Sequence, residues 1–128
     1  MNDDRRKETR RKLMAFTPVY DLHPRTLLGY LGDLTLRGAL VIGSKMITIH
    51  KETVLEIEFP NDLPDIIDSQ LIIPARIAWC HQEESPQYFN IGVEFTEVTS
   101  QQTELIEEII GRYHFRHVTH NTDSKGQE

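Results

Sequence analysis

Between Leu13 and Phe95 the chain is cut into short apolar runs by turn-forming residues, and at Thr99 its hydrophobic period changes from that of strands to that of a helix. Strands with period two must cover their inner faces, and many in succession close into a barrel or pack as a sandwich. One amphipathic helix at the end then packs against the barrel or a partner. The predicted fold class is mainly β with one C-terminal α-helix.

Leu13, Ala15, Thr17 and Val19 fall on one face of a first strand that reaches about Tyr20, and His23-Pro24 marks a turn. Thr26 to Thr35 reads as a second strand, in which Gly29 and Gly32 suggest bending or a bulge. Ala39 to Ile42 is a buried third strand and Gly43-Ser44-Lys45 a turn. Met46 to His50 is ambiguous, with a short strand as one reading. Thr53 to Phe59 alternates, placing Leu55, Ile57 and Phe59 inward and Glu56 and Glu58 outward. Pro60 to Asp65 forms the longest loop. Leu71 to His81 is a long strand whose Pro74 implies an edge or a bulge. Glu83 to Pro86 connects it to a partner strand, Tyr88 to Phe95, with Phe89, Ile91, Val93 and Phe95 on one face.

Thr99 and Gln102 have the spacing of a capping box. Leu105, Ile106, Ile109, Ile110 and Tyr113 follow at helical spacing, with Glu104, Glu107 and Glu108 opposite and Gly111 placed to weaken or end the helix. At 128 residues, with no internal repeat or linker, the chain reads as one domain over 5–117. Residues 1–12 read as a flexible basic arm and residues 118–128 as a disordered tail.

Charge is unevenly placed. The net charge is −6, yet residues 1–12 hold six Lys or Arg against three acids. An acidic body argues against a polynucleotide track and for a small, focused anion site. No run approaches the ~18 apolar residues of a membrane span, so membrane insertion is not expected. The charged start lacks the apolar stretch of a secretory signal. Cys80 is the lone cysteine and fits a reducing compartment. The cytoplasm is the expected address.

Two short stretches fit one ligand. Arg5-Arg6-Lys7-Glu8-Thr9-Arg10 offers guanidinium groups, which grip phosphates and the Hoogsteen edge of guanine. Asp33-Leu34-Thr35-Leu36-Arg37-Gly38 offers a carboxylate for the guanine N1 and N2 hydrogens, a hydroxyl, and a glycine that lets the backbone come close. Arg37 lies between the key positions, facing solvent or adding charge to the site. Together these groups could hold a negatively charged guanine nucleotide.

The order of these features resembles the PilZ domain family of bacterial cyclic di-GMP receptors. Arg6-Lys7-Glu8-Thr9-Arg10 matches its RxxxR segment, extended by Arg5. Asp33 to Gly38 matches [D/N]xSxxG with Thr35 in place of the usual serine. Ala75 to Trp79 and Asn90-Ile91-Gly92-Val93-Glu94-Phe95 match the later hairpin. The resemblance implies a six-stranded antiparallel β-barrel, split and Greek-key-like, with RxxxR closing as a loop over a surface formed by Asp33, Thr35 and Gly38. It implies that Arg6 and Arg10 contact guanine edges and phosphates, that Trp79 lies near a base, and that Arg5 favours two stacked ligand molecules per protomer.

Other constellations are weaker. His114, His117 and His120 could share a helical side and bind a transition metal, but they lack a cysteine or acidic partner nearby. Cys80 and His81 are adjacent in a strand and point to opposite faces, which argues against a nucleophile–base pair. Walker A, His-Glu-x-x-His and Gly-x-Ser-x-Gly patterns are absent, as are the signatures of enzymes that make or degrade cyclic di-GMP. The expectation is a receptor with no cofactor and no catalysis. In it the ligand orders the arm and alters binding to an effector protein. Relatives of this kind regulate motility, exopolysaccharide, biofilm or virulence. The alternatives are a ligand-independent adaptor of the same shape and, less favoured, a small oligonucleotide-binding barrel.

Overall fold

The computed structural model describes residues 12–13, 16–60, 70–83 and 87–114. Eight strands and one helix occur there: β1 (Lys12–Leu13), β2 (Pro18–Leu22), β3 (Arg25–Leu34), β4 (Gly38–Gly43), β5 (Glu52–Glu58), β6 (Gln70–Gln82), β7 (Phe89–Phe95), α1 (Ser100–Arg112) and β8 (Tyr113–His114). Of the expected arm at 1–12, residues 1–11 lie outside the described residues and Lys12 stands in β1. The loop at 61–69, the hairpin tip at 84–86 and the tail at 118–128 also lie outside the described residues. So does Ala15 of the expected first strand.

Six strands close into an antiparallel barrel in the order β2-β3-β4-β7-β6-β5. Two three-stranded meanders, β2-β3-β4 and β5-β6-β7, meet along β4–β7 and β2–β5. Closure removes the unpaired edges that an open sheet would expose. The interior is filled by the inward residues that alternation predicts. Val19, Val41, Leu55, Ile57, Ile73 and Ile91 are fully buried, and Thr17 joins them.

The helix begins where its sequence requires. The Thr99 hydroxyl accepts from the Gln102 N–H at 3.1 Å, and the Gln102 side chain accepts from the Thr99 N–H at 3.0 Å. Gln102 also donates to the Ile72 carbonyl at 2.9 Å, which ties the first turn to β6. Ile106 and Ile109 are wholly buried in the barrel's core, worth roughly 1.5–3 kcal/mol each. Gly111 does not end the helix, which runs to Arg112. The chain turns extended at Tyr113, whose N–H donates to the Ile109 carbonyl. Tyr113 and His114 then pair in parallel with Lys12 and Leu13.

Several expectations need correction. Met46 to His50 forms no strand; it belongs to the segment that joins the two meanders. Near the end of that segment His50 takes the left-handed region, φ 65°. The His50 N–H donates to the Ile77 carbonyl at 2.6 Å, and the Ile77 N–H to the Lys51 carbonyl at 3.0 Å. The first expected strand is two, β1 and β2. Pro74 sits at no bulge but at a locally free edge, one of the two expected settings: residues 70–74 of β6 pair with β5 alone, and the ladder to β7 begins at Ala75. Its carbonyl accepts from Thr96 just past the end of β7, so its missing N–H faces the point where that ladder stops.

Glu56 is on the outward face as expected, yet it is only 5% exposed. Arg25 of β3 covers it at 3.2 Å, reaches Glu58 at 3.0 Å and lies 4.0 Å from the centre of the Tyr20 ring. Gln70 donates to Glu56 from β6. Beside it, buried Asp21 accepts from Lys51 at 2.7 Å, from the Thr53 hydroxyl, and from the His23 N–H at 3.0 Å. Burial opposes ionisation of both carboxyls. The hydrogen bonds and cations outweigh it, through Lys51, Thr53 and His23 for Asp21 and through Gln70 and Arg25 for Glu56. Both pKa values therefore fall below the ordinary range. These two clusters hold the β2–β5 seam shut.

Candidate ligand-binding site

Two bulges build a depression on the outer wall of the barrel. In β3, Leu31 pairs with Val41 and Asp33 with Leu40, so Gly32 is the extra residue. Leu31 and Leu34 can then both face the core although they are an odd three positions apart, and Asp33 is turned outward. In β6, Leu71, Ile73, Ala75 and Ile77 point inward, and strict alternation would bury Trp79 next. The extra residue Ala78 reverses that parity. Trp79 is 47% exposed, and Cys80 packs against the core in its place. His81 is exposed, so Cys80 and His81 face apart as their adjacency predicts.

The β3–β4 turn sets the opposite wall. The Thr35 N–H donates to the Gly38 carbonyl at 2.9 Å. The Thr35 hydroxyl accepts from the Arg37 N–H at 3.2 Å and the Gly38 N–H at 3.1 Å. Both lone pairs are thereby used in shaping the turn, and the hydroxyl donates its single hydrogen to the Gly38 carbonyl, with the two oxygens 3.3 Å apart. The Arg37 carbonyl accepts from Phe95 at 2.8 Å, which fastens the turn to β7. An Asp33 carboxylate oxygen accepts from the Leu34 N–H at 2.9 Å, which fixes the direction of the side chain.

Two glycines let the strands and the indole come close. A Cβ on Gly38 would stand 2.2 Å from the Val93 carbonyl oxygen. One on Gly92 would stand 2.1 Å from Cε2 of Trp79, so the indole occupies the space a side chain at 92 would need. The resulting depression, of about 340 Å³, is lined by Asp33, Thr35, Arg37 and Gly38 from the turn, by Ala78 and Trp79 from β6, and by Gly92 and Glu94 from β7.

Register gives the site two rows. One runs Asp33–Leu40–Gly92–Trp79 across four strands, roughly 14 Å from carboxylate strand to indole strand. The other runs Gly38–Glu94–Arg76, and the Arg76 guanidinium pairs with the Glu94 carboxylate. An acceptor at one end, an exposed aromatic face at the other, and between them Leu40 and a glycine without a side chain suit a flat, polar ligand.

Asp33, Thr35, Gly38 and Trp79, four of the residues singled out in the sequence, thus line one depression, and Arg37 joins them. Arg5, Arg6 and Arg10 lie outside the described residues. The helical histidine trio fails at its first member, because His114 is in extended β8; His117 and His120 lie outside the described residues. Among the described residues no three His, Cys, Asp or Glu side chains are grouped to hold a metal ion. Sequence reasoning missed Gly92 and Glu94. The available signal was a glycine inside an otherwise apolar strand of a hairpin whose other strand carries a tryptophan.

The PilZ domain family matches residues 4–112. The chain belongs to the PilZ domain family. The solved structure of Bacillus subtilis Inhibitor of motility (MotI/DgrA) is similar in fold, with a TM-score of 0.62 at 15% sequence identity. The match takes in 80% of this chain and 50% of that one, so this chain spans about half the length of that relative. No curated protein matches the chain. Among the described residues no helix is long and apolar enough to cross a membrane.

Proposed function

We propose that this PilZ protein is a cyclic di-GMP receptor whose ligand sits in the depression between the β3–β4 turn and Trp79. The observation that carries the reading is that Asp33, Thr35, Gly38 and Trp79 line one surface depression, inside the span the family matches. Asp33 accepts from a guanine edge, Gly38 admits the ligand to the backbone, and the indole stacks on a base. Thr35 acts chiefly by shaping the turn that presents its neighbours.

The ligand's two phosphates need cations. Arg37 stands in the depression. Arg5, Arg6 and Arg10 supply the rest from the arm that precedes β1. Arg5 further favours two stacked ligand molecules per protomer. β1 pairs with β8 directly after the helix, so the root of the arm and the end of α1 share one ladder. Ligand capture by the arm changes the surface offered to an effector protein, and the output is exerted through that partner without catalysis by this chain.

Calorimetric titration with cyclic di-GMP, GTP and cyclic di-AMP tests the reading. Cyclic di-GMP is the ligand that binds, and Arg10→Ala weakens it roughly tenfold to a hundredfold. Equal binding of all three, or preference for single-stranded oligonucleotides, would replace this reading. No binding of any would favour a ligand-independent adaptor.

A further inference from the structure

One ion pair stands on the rim of the depression without a part in the binding scheme above. Glu94 lines the depression, with Gly38 as its register partner on one side and Arg76 on the other. Gly38 carries no side chain, and the Arg76 guanidinium takes the Glu94 carboxylate as its partner. The two side chains are 36% and 51% exposed. Exposed pairs of this kind contribute little to stability, so little binds Arg76 to Glu94 once a stronger acceptor arrives. A phosphate is such an acceptor, because it takes a guanidinium through two parallel hydrogen bonds.

The position is apt for that exchange. Leu71, Ile73, Ala75 and Ile77 face the core, which leaves Arg76 on the outer wall. The bulge at Ala78 brings Trp79 to the same wall. Their register partners on β7, Glu94 and Gly92, are two residues apart, roughly 7 Å along the strand. A base stacked on the indole would therefore carry its own phosphate toward the guanidinium.

We infer that Arg76 is a further phosphate-binding residue of this site and that Glu94 is its built-in competitor. In the free protein the carboxylate holds the guanidinium at the rim; in the complex the phosphate takes it. The inference rests on the reading that the depression receives a phosphorylated dinucleotide. The competition has a sign: removing the Glu94 charge strengthens binding.

The test is calorimetry with cyclic di-GMP on the full chain, comparing wild type, Glu94→Gln, Arg76→Ala and the double variant, with thermal melts to verify folding. Glu94→Gln binds about two- to fivefold tighter than wild type. Within the Glu94→Gln background, Arg76→Ala binds at least about tenfold more weakly. A pair that merely neutralised itself would leave Glu94→Gln and the double variant with equal affinity. That equality, with wild-type binding intact, overturns the inference and leaves the ligand reading in place. Failure of wild type to bind removes both.

Discussion

The indole of Trp79 and the backbone of Gly92 are register partners on neighbouring strands, so close that a Cβ at 92 would fall 2.2 Å from the indole Nε1. The bulge at Ala78 turns the ring outward, and the missing side chain at 92 gives it a place to lie. The sole tryptophan of the chain is thereby fixed on the wall of the depression.

Gly92→Ala should expel the indole without opening the barrel, because an exposed side chain can move where strand backbone cannot. Its tryptophan emission should shift toward that of solvated indole. Stability should fall by only about 1 kcal/mol, the scale of a lost aromatic contact. Affinity for cyclic di-GMP should fall to the level of Trp79→Ala. Fluorescence, urea melts and calorimetry on the two variants check these outcomes; unchanged emission would refute the packing role.

Thr35 separates shape from contact. Thr35→Val leaves the Arg37 and Gly38 N–H groups without their acceptor, and should cost about 1 kcal/mol in a urea melt. Thr35→Ser keeps both hydrogen bonds and sheds only a methyl group. It should retain stability to within about 0.5 kcal/mol and bind cyclic di-GMP at least as tightly as wild type.

Asp21 and Glu56 make the fold acid-sensitive. Their pKa values in the folded chain lie below the ordinary 3.8 and 4.5. The unfolded chain therefore binds protons first as pH falls. The stability these groups supply is complete above the ordinary values and is lost as pH drops through the depressed ones. Melting temperature should stay level from neutral pH to about pH 5 and then decline. In Asp21→Asn the neutral-pH melting temperature should be lower and the acid decline shallower. An acid limb identical to wild type would show that Asp21 takes no part.

Gly111 is an exposed glycine inside α1, and a Cβ there meets nothing within 4 Å. Gly111→Ala should stabilise the protein by roughly 0.4–1 kcal/mol, read as a higher urea midpoint with unchanged slope. Loss of stability would mean that the last turn of the helix is not formed in solution.

Much of this architecture was legible in the sequence, for local reasons. Thr99 and Gln102 are three residues apart, so the start of the helix is written in adjacent side chains. Alternation in β5 and β7 assigns Leu55, Ile57, Ile91 and Val93 to the core, and the stretch from Asp33 to Gly38 marks one wall of the site. The rest depends on partners distant in the chain. Glu56 is buried because Arg25 and Gln70 arrive from other strands. Trp79 faces out because one extra residue, Ala78, reverses a parity that counting by twos would carry through. β1 and β8 are two residues each, too short to show a period, and only the end of the helix brings them together.

The central claim is that cyclic di-GMP occupies the depression between the β3–β4 turn and Trp79, and amide NMR on the isotope-labelled full chain tests it most directly. Titration should shift the amides of Asp33 to Gly38, Ala78, Trp79 and Gly92 to Glu94, while those of Asp21 and Thr53 at the β2–β5 seam stay in place. Spectra unmoved at millimolar ligand, or shifts gathered at the seam with the turn and Trp79 unaffected, would contradict the account.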